Sequence, residues 1–155
     1  MIQLIADGLI VPIVIVGGLA IWFWTPKPRL EAYKYALMAG LTSLLVAKLM
    51  SLVYHPAIER PFQLLGQEAG ALYIDNPGFP SDHALFVTVI VLAVYALTGR
   101  KKFAYILAAL ALLVGVGRVL ALVHTPFDVV GGVFAGLVGG FWYLGLSEKK
   151  PKRLR

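Results

Sequence analysis

The sequence predicts an all-α integral membrane protein, a helical bundle of five to six transmembrane helices with an extracytoplasmic loop that carries the active-site candidates. Three observations lead there. Hydrophobic residues make up 59% of the 155 and charged residues only 14%, with a mean hydropathy of +0.82, outside the range of a soluble domain. Five apolar stretches approach the roughly 20 residues a helix needs to cross a bilayer. Prolines, glycines or basic clusters bound each of them. This length allows one domain, expected over residues 1–146, followed by a basic cytoplasmic tail at 147–155.

The first apolar stretch is Leu4 to Trp24, closing on Trp22, Phe23 and Trp24, aromatic rings suited to the interface. The segment before it, MIQLIADGL, lacks the basic n-region of a signal peptide, so the stretch is expected to stay as a span. Asp7 lies at its edge and is given no role. Two prolines in TPKPR (Thr25 to Arg29) break the helix. The second span is expected from Leu30 to Tyr54 and carries Lys48 in its outer third. His55 to Pro80 is polar and rich in turn residues, among them DNPG (Asp75 to Gly78). It reads as a re-entrant or interfacial loop with a short helix near Phe62 to Leu72. Asp82 to Thr98 is a rather short third span, GRKK (Gly99 to Lys102) a tight basic turn, and Phe103 to Val123 the fourth span. The fifth runs from Pro126 to Leu146, where repeated glycines allow close helix contact.

Sorting the cations sets an orientation. Of the fourteen lysines and arginines, eleven fall in the first turn (Lys27, Arg29, Lys34), in GRKK, and in the tail (Lys149, Lys150, Lys152, Arg153, Arg155). With five spans those three places share one side, which the positive-inside rule makes cytoplasmic. The protein is therefore expected as a multi-pass plasma-membrane protein with its N-terminus outside. The tail is read as a topology signal; as a binding surface it would suit anionic lipid head groups better than nucleic acid, and no nucleic acid is expected as a partner. The remaining cations, Lys48, Arg60 and Arg118, and all three histidines, His55, His83 and His124, fall at or near the outer face.

Ionisable groups at membrane depth are costly and mark function. RVLALVHTPFD (Arg118 to Asp128) places an arginine, a histidine and an aspartate in otherwise lipid-soluble sequence. His124 and Asp128 are one helical turn apart, so the carboxylate can hold one imidazole nitrogen and leave the other basic. Pro126 suits the first turn of a new helix, which puts the histidine at a helix mouth. Cations and imidazoles around one cavity, with few carboxylates, describe a site for an anion. Arginine's planar fork suits phosphate oxygens, and two histidines suit attack on phosphorus and protonation of the leaving oxygen. PSDH (Pro80 to His83) adds a hydroxyl, backbone amides and an imidazole at a helix start. No Asp, Glu and His set has ligand spacing, and there is no cysteine, so neither a metal nor another cofactor is expected.

GR-x5-H-x3-D (Arg118, His124, Asp128), preceded by PSDH and by ERPF (Glu59 to Phe62), resembles the type 2 phosphatidic acid phosphatase superfamily. Its members include lipid phosphate phosphatases, bacterial undecaprenyl-diphosphatases and vanadium haloperoxidases. The resemblance runs from Lys48 to Asp128, about half the chain. It implies that His124 is the nucleophile forming a phosphohistidine, oriented by Asp128, and that His83 is the acid for the leaving group and later the base for water. Arg60, Arg118, Ser81 and the amide of Asp82 would hold the phosphate, without a metal. FPSDH resembles the small undecaprenyl-diphosphatase branch, so undecaprenyl diphosphate is the expected substrate. Phosphatidic acid, phosphatidylglycerol phosphate and lipid A phosphate are alternatives, and a lipid-phosphate binding or transport protein is the non-enzyme alternative.

The chain departs from the family pattern in four places. Gly117 replaces the serine before Arg118, and Asp82 replaces the glycine of Pro-Ser-Gly-His. The family's lysine seven before Arg-Pro has no counterpart, because Val53 stands there. Lys48, twelve before Arg60, is expected either to reach the phosphate or to snorkel to the interface. Tyr73 and Asp75 are expected to shape the loop. Five spans, where six are common in the family, leave a face that a homo-oligomer would cover.

Overall fold

The computed structural model describes residues 1–54, 59–76 and 78–146. It is 77% helix and contains no strand among the described residues. A π-helical turn, Leu4–Gly8, leads into α1 (Ile10–Trp24), followed by α2 (Arg29–Val53) and the short α3 (Pro61–Leu64). Then come α4 (Asp82–Thr98), α5 (Lys101–Leu120) and α6 (Pro126–Gly139), the last continuing as a 3₁₀ turn over Gly140–Leu146. Among the described residues, four segments are long and apolar enough to cross a membrane: Leu4–Trp24, Arg29–Val53, Lys101–Leu120 and Pro126–Leu144. Most large apolar side chains on these helices are exposed, as expected where lipid is the solvent.

α4 is the centre. It packs against α1, α2, α5 and α6, and buries Leu85, Val87, Val94 and Leu97 almost completely. Its 17 residues rise about 25 Å, short of a full hydrocarbon core. Close packing depends on glycines of α6: a Cβ at Gly132 would collide with the Ser81 carbonyl, and one at Gly139 with the Ala39 carbonyl. α6 therefore lies backbone to backbone against the start of α4 and the middle of α2.

The two basic turns meet at one end of the bundle. Trp24 packs edge-on against Phe103 at 4.9 Å, with the Arg100 guanidinium 5.3 Å from its ring. Arg29 covers Trp22 at 4.4 Å and donates from Nε to its carbonyl. α1 leaves this end and reaches the opposite one at Asp7, so the polar loop between α2 and α4 lies at the end away from the cations. There Phe79 stacks on Phe127 at 5.2 Å and meets Tyr54 edge-on at 4.9 Å, tying the exit of the loop to α2 and α6.

Element bounds follow the sequence expectations within a few residues, with one clear difference. The loop helix spans Pro61–Leu64 and not the longer stretch to Leu72, because Gly66 turns the chain to φ +62° and ends it. His55 and the tail 147–155 lie outside the described residues.

Candidate active site

Two cavities border α4. One, about 610 Å³, opens between α4, α5 and α6 and is lined by no ionisable side chain. The other, about 320 Å³, is lined by Arg60, Tyr73, Asn76, Asp82, His83, Arg118 and His124, with Ile10, Leu72, Ile74 and Phe86 as an apolar wall. The ionisable side chains belong to the second.

His124 stands between α5 and α6. Leu122 at φ +59° and the Val123 and His124 amides, both bonded to the Arg118 carbonyl, close the end of α5. Thr125 and Pro126 then open α6 as N-cap and first residue. Asp128 does two jobs. Its Oδ2 accepts the Thr125 N–H at 2.7 Å, completing a capping box in which Thr125 Oγ1 accepts the Asp128 N–H at 3.2 Å. The same Oδ2 lies 3.6 Å from His124 Nδ1, a little beyond hydrogen-bond length. Such contacts tighten when substrate binds. Burial lowers the His124 pKa below the ordinary 6.5; Asp128 opposes the shift, while Arg118 and Arg60 add to it. The imidazole is thus neutral at pH 7.

Ser81 caps α4 from a fully buried position. Its N–H donates to the Asp128 carbonyl at 2.9 Å, while its Oγ has no hydrogen-bond partner among the described residues. Asp82 and His83, the first residues of α4, line the cavity beside it. A helix start carries unpaired amides and a positive dipole end, which favour an anion here.

Arg118 and Arg60 are both buried. Arg60 is held by the loop: Nη1 donates to the Val123 carbonyl, and Nη2 to the Ile74 carbonyl at 2.7 Å and to Asn76 Oδ1 at 2.8 Å. Its guanidinium lies 5.3 Å from the Tyr73 ring. Gly78, at φ +80°, favours glycine by its backbone, and a Cβ there would also crowd the guanidinium carbon at 3.3 Å. Arg118 Nη1 pairs with Asp7 Oδ1 and donates to the Leu72 carbonyl at 2.8 Å. Asp7 also approaches His83, at 3.6 Å.

The structure thus brings Arg60, Asp82, His83, Arg118 and His124 to one cavity, with Ser81 and Asp128 packed behind it. Lys48 is not brought there. α2 turns Ala47 inward, and the next residue points about 100° away, so Lys48 is exposed on the bundle surface. Two residues enter that the sequence reading gave no role at the site: Asp7, beside Arg118 and His83, and Asn76, on Arg60. An acid inside an apolar span was the one available signal for Asp7. The expectation that Tyr73 only shapes the loop is incomplete, since its ring is a wall of the cavity.

If Asp128 orients His124, Asp128→Asn keeps an oxygen for the Thr125 amide but loses the carboxylate beside the imidazole. Activity is expected to fall by about 10²-fold or more with little change in melting temperature, measured by turnover and thermal unfolding of the same preparation.

A helical membrane bundle enclosing an anion-suited cavity, with two imidazoles and two buried arginines around it, is the class of protein this fold and site define. The chain belongs to the PAP2 superfamily, whose family model matches residues 31–152. It is 28% identical over 130 residues to undecaprenyl-diphosphatase BcrC of Bacillus subtilis (strain 168), covering 84% of this chain and 65% of that protein. It is 29% identical to the bacitracin transport permease protein BcrC of Bacillus licheniformis, over 88% of this chain and 73% of that one. With phosphatidylglycerophosphatase B of Bacillus subtilis (strain 168) the identity is 30%, over 97% and 73%. The chain therefore spans about two thirds to three quarters of the length of these curated relatives. No solved structure is a significant match.

Proposed function

We propose that this protein is a metal-independent lipid phosphatase that removes the terminal phosphate of a lipid (di)phosphate at the outer membrane face. One observation carries the reading: His83 and His124 line the same cavity as Arg60 and Arg118. An anion-binding protein needs the cations, whereas a phosphotransfer site also needs a nucleophile and an acid. In the proposed step, neutral His124 attacks phosphorus through Nε2 while Asp128 holds Nδ1. The bond to the leaving oxygen breaks, and His83 gives that oxygen its proton. Water, deprotonated by His83, then attacks the phosphohistidine, releasing inorganic phosphate and restoring both imidazoles. Arg60, Arg118 and the amides at the start of α4 take up the equatorial oxygens, stabilising charge in a water-poor site.

The apolar wall of Ile10, Leu72, Ile74 and Phe86 suits a substrate whose tail lies in lipid. The cation-rich turns at the far end support an extracytoplasmic cavity under the positive-inside rule. Undecaprenyl diphosphate is the favoured substrate, supported by the resemblance of FPSDH and by the relative named an undecaprenyl-diphosphatase. The relative named a phosphatidylglycerophosphatase keeps glycerol lipid phosphates as the alternative. The relative named a transport permease motivates a binding or transport reading without turnover. Purified protein offered undecaprenyl diphosphate, phosphatidic acid and phosphatidylglycerol phosphate distinguishes these. Phosphate release that vanadate blocks and chelators leave untouched supports the enzyme. Vanadate binding without release from any substrate overturns it in favour of transport.

A further inference from the structure

Asp7 stands before the stretch the family model covers, residues 31–152, and outside all three motifs. It lies in the π-helical turn Leu4–Gly8, whose wider hydrogen-bonded loop is a rare geometry that occurs frequently at functional sites. Its two oxygens have separate duties. Oδ1 pairs with Arg118 Nη1 and lies 3.6 Å from His83 Nε2. Oδ2 accepts the Leu72 N–H at 2.8 Å. The Leu72 carbonyl in turn accepts from Arg118 Nη1 at 2.8 Å. The first helix, the loop, α4 and α5 therefore meet at a single carboxylate. Arg118 is 2% exposed, and its Nε has no hydrogen-bond partner among the described residues. With Nη1 held by Asp7 and Leu72, Nε and Nη2 remain for a ligand.

Gly117 is what lets this carboxylate arrive. A Cβ there would stand 3.0 Å from the backbone nitrogen of Ala6, 3.1 Å from its Cα and 3.0 Å from Ile5 Cγ2. Two of those three atoms are backbone, so no side-chain rotation relieves the contact. Ala6 itself is fully buried. The glycine before Arg118, where the family pattern has serine, and the acid in the first helix thus fit together as one device. A larger residue at 117 would lift the π-helical turn and draw Asp7 away from Arg118.

We propose that Asp7, seated by Gly117, is a positioning residue for phosphoryl transfer: it fixes the Arg118 guanidinium and stands beside His83, so that both meet the transferring phosphoryl group. The inference rests on the phosphatase reading. Removing a carboxylate from an anion site ought to help a phosphate bind, whereas removing a positioning group harms only the transition-state geometry. Vanadate, which takes that geometry, and inorganic phosphate, which does not, separate the two effects.

The experiment uses the full chain in detergent, with Asp7→Asn, Asp7→Glu, Gly117→Ser and the Asp7→Asn/Gly117→Ser pair. It reads kcat, KM, vanadate and phosphate affinity, and melting temperature. Asp7→Asn is expected to lower kcat at least about tenfold and weaken vanadate by a similar factor, with KM and phosphate affinity within about twofold. Gly117→Ser should reproduce that pattern, the pair should be no worse than the worse single variant, and Asp7→Glu should recover part of the loss. A merely structural role would reduce the active fraction without moving the ratio of vanadate to phosphate affinity. Wild-type kcat and vanadate affinity in Asp7→Asn, or tighter vanadate binding, overturns the proposal. Wild-type protein that binds vanadate but hydrolyses no lipid phosphate sinks the phosphatase reading and the inference with it, whereas active wild type with an unimpaired Asp7→Asn sinks the inference alone. Wild-type protein that binds neither anion overturns both.

Discussion

His124→Ala is expected to abolish phosphate release, with residual turnover at least about 10⁴-fold below wild type, because the proposed mechanism passes through a covalent bond to this imidazole. The variant also opens space at a site only 5% exposed, so loss of fold must be separated from loss of chemistry. His124→Gln, nearer in volume, serves that purpose: it should melt close to wild type, bind vanadate, and turn nothing over. Substantial activity in either variant would end the phosphohistidine mechanism. The pH profile tests the same residue without substitution. In the proposed step His124 attacks only when neutral, and its pKa lies below the ordinary 6.5 through burial, with Asp128 opposing and Arg118 and Arg60 reinforcing. As pH falls, kcat/KM should therefore hold through 6.5 and decline only at more acid pH. An acid limb above 6.5 would mean that some other group, or a charged His124, controls the step.

His83→Ala is expected to cost about 10²- to 10⁴-fold on an alkyl phosphate such as phosphatidic acid, the usual worth of a positioned general acid. The size of the loss should follow the leaving group. An alkoxide is a poor leaving group and needs the proton. A lipid monophosphate leaving from a diphosphate needs it less, and an activated aryl phosphate needs it least. A series across these three classes should thus show a graded defect in His83→Ala and none in wild type beyond intrinsic reactivity. A uniform loss across the series would mean that His83 binds the phosphate and does not protonate the departing oxygen. His83 is half-buried at the start of α4 and holds no packing layer together, so the variant is expected to fold.

Much of the architecture was legible because it depends on neighbours along the chain. Apolar runs, the prolines of TPKPR and the Pro126 helix start are local signals, and they placed the helices within a few residues of where they lie. Arg118, His124 and Asp128 were legible for the same reason: their spacing fits one helix end and the next helix start. Lys48 shows the limit. Its distance from Arg60 along the chain left its direction open, and only the inward face of α2, set by Ala39, Ser43 and Ala47 against neighbouring helices, turns it outward. The loop helix was overextended because the residues from Leu65 to Leu72 hold no strong breaker besides glycine, and the left-handed turn at Gly66 is a backbone choice.

What the sequence alone determined is the material of the site: an apolar chain whose few cations outside the basic clusters, with two imidazoles and one capping carboxylate, sit at helix ends. Hydrophobic transfer and helix termination act over a turn or two, so composition and spacing suffice to read them. The tertiary structure decided which of those groups share a phosphate-sized space. It also added a partner that no spacing could indicate, since Asp7 and Arg118 are 111 residues apart and meet where Gly117 leaves room for the Leu4–Gly8 turn. Contacts of that kind arise from backbone approach between helices, and their energy depends on the complete packing of the bundle.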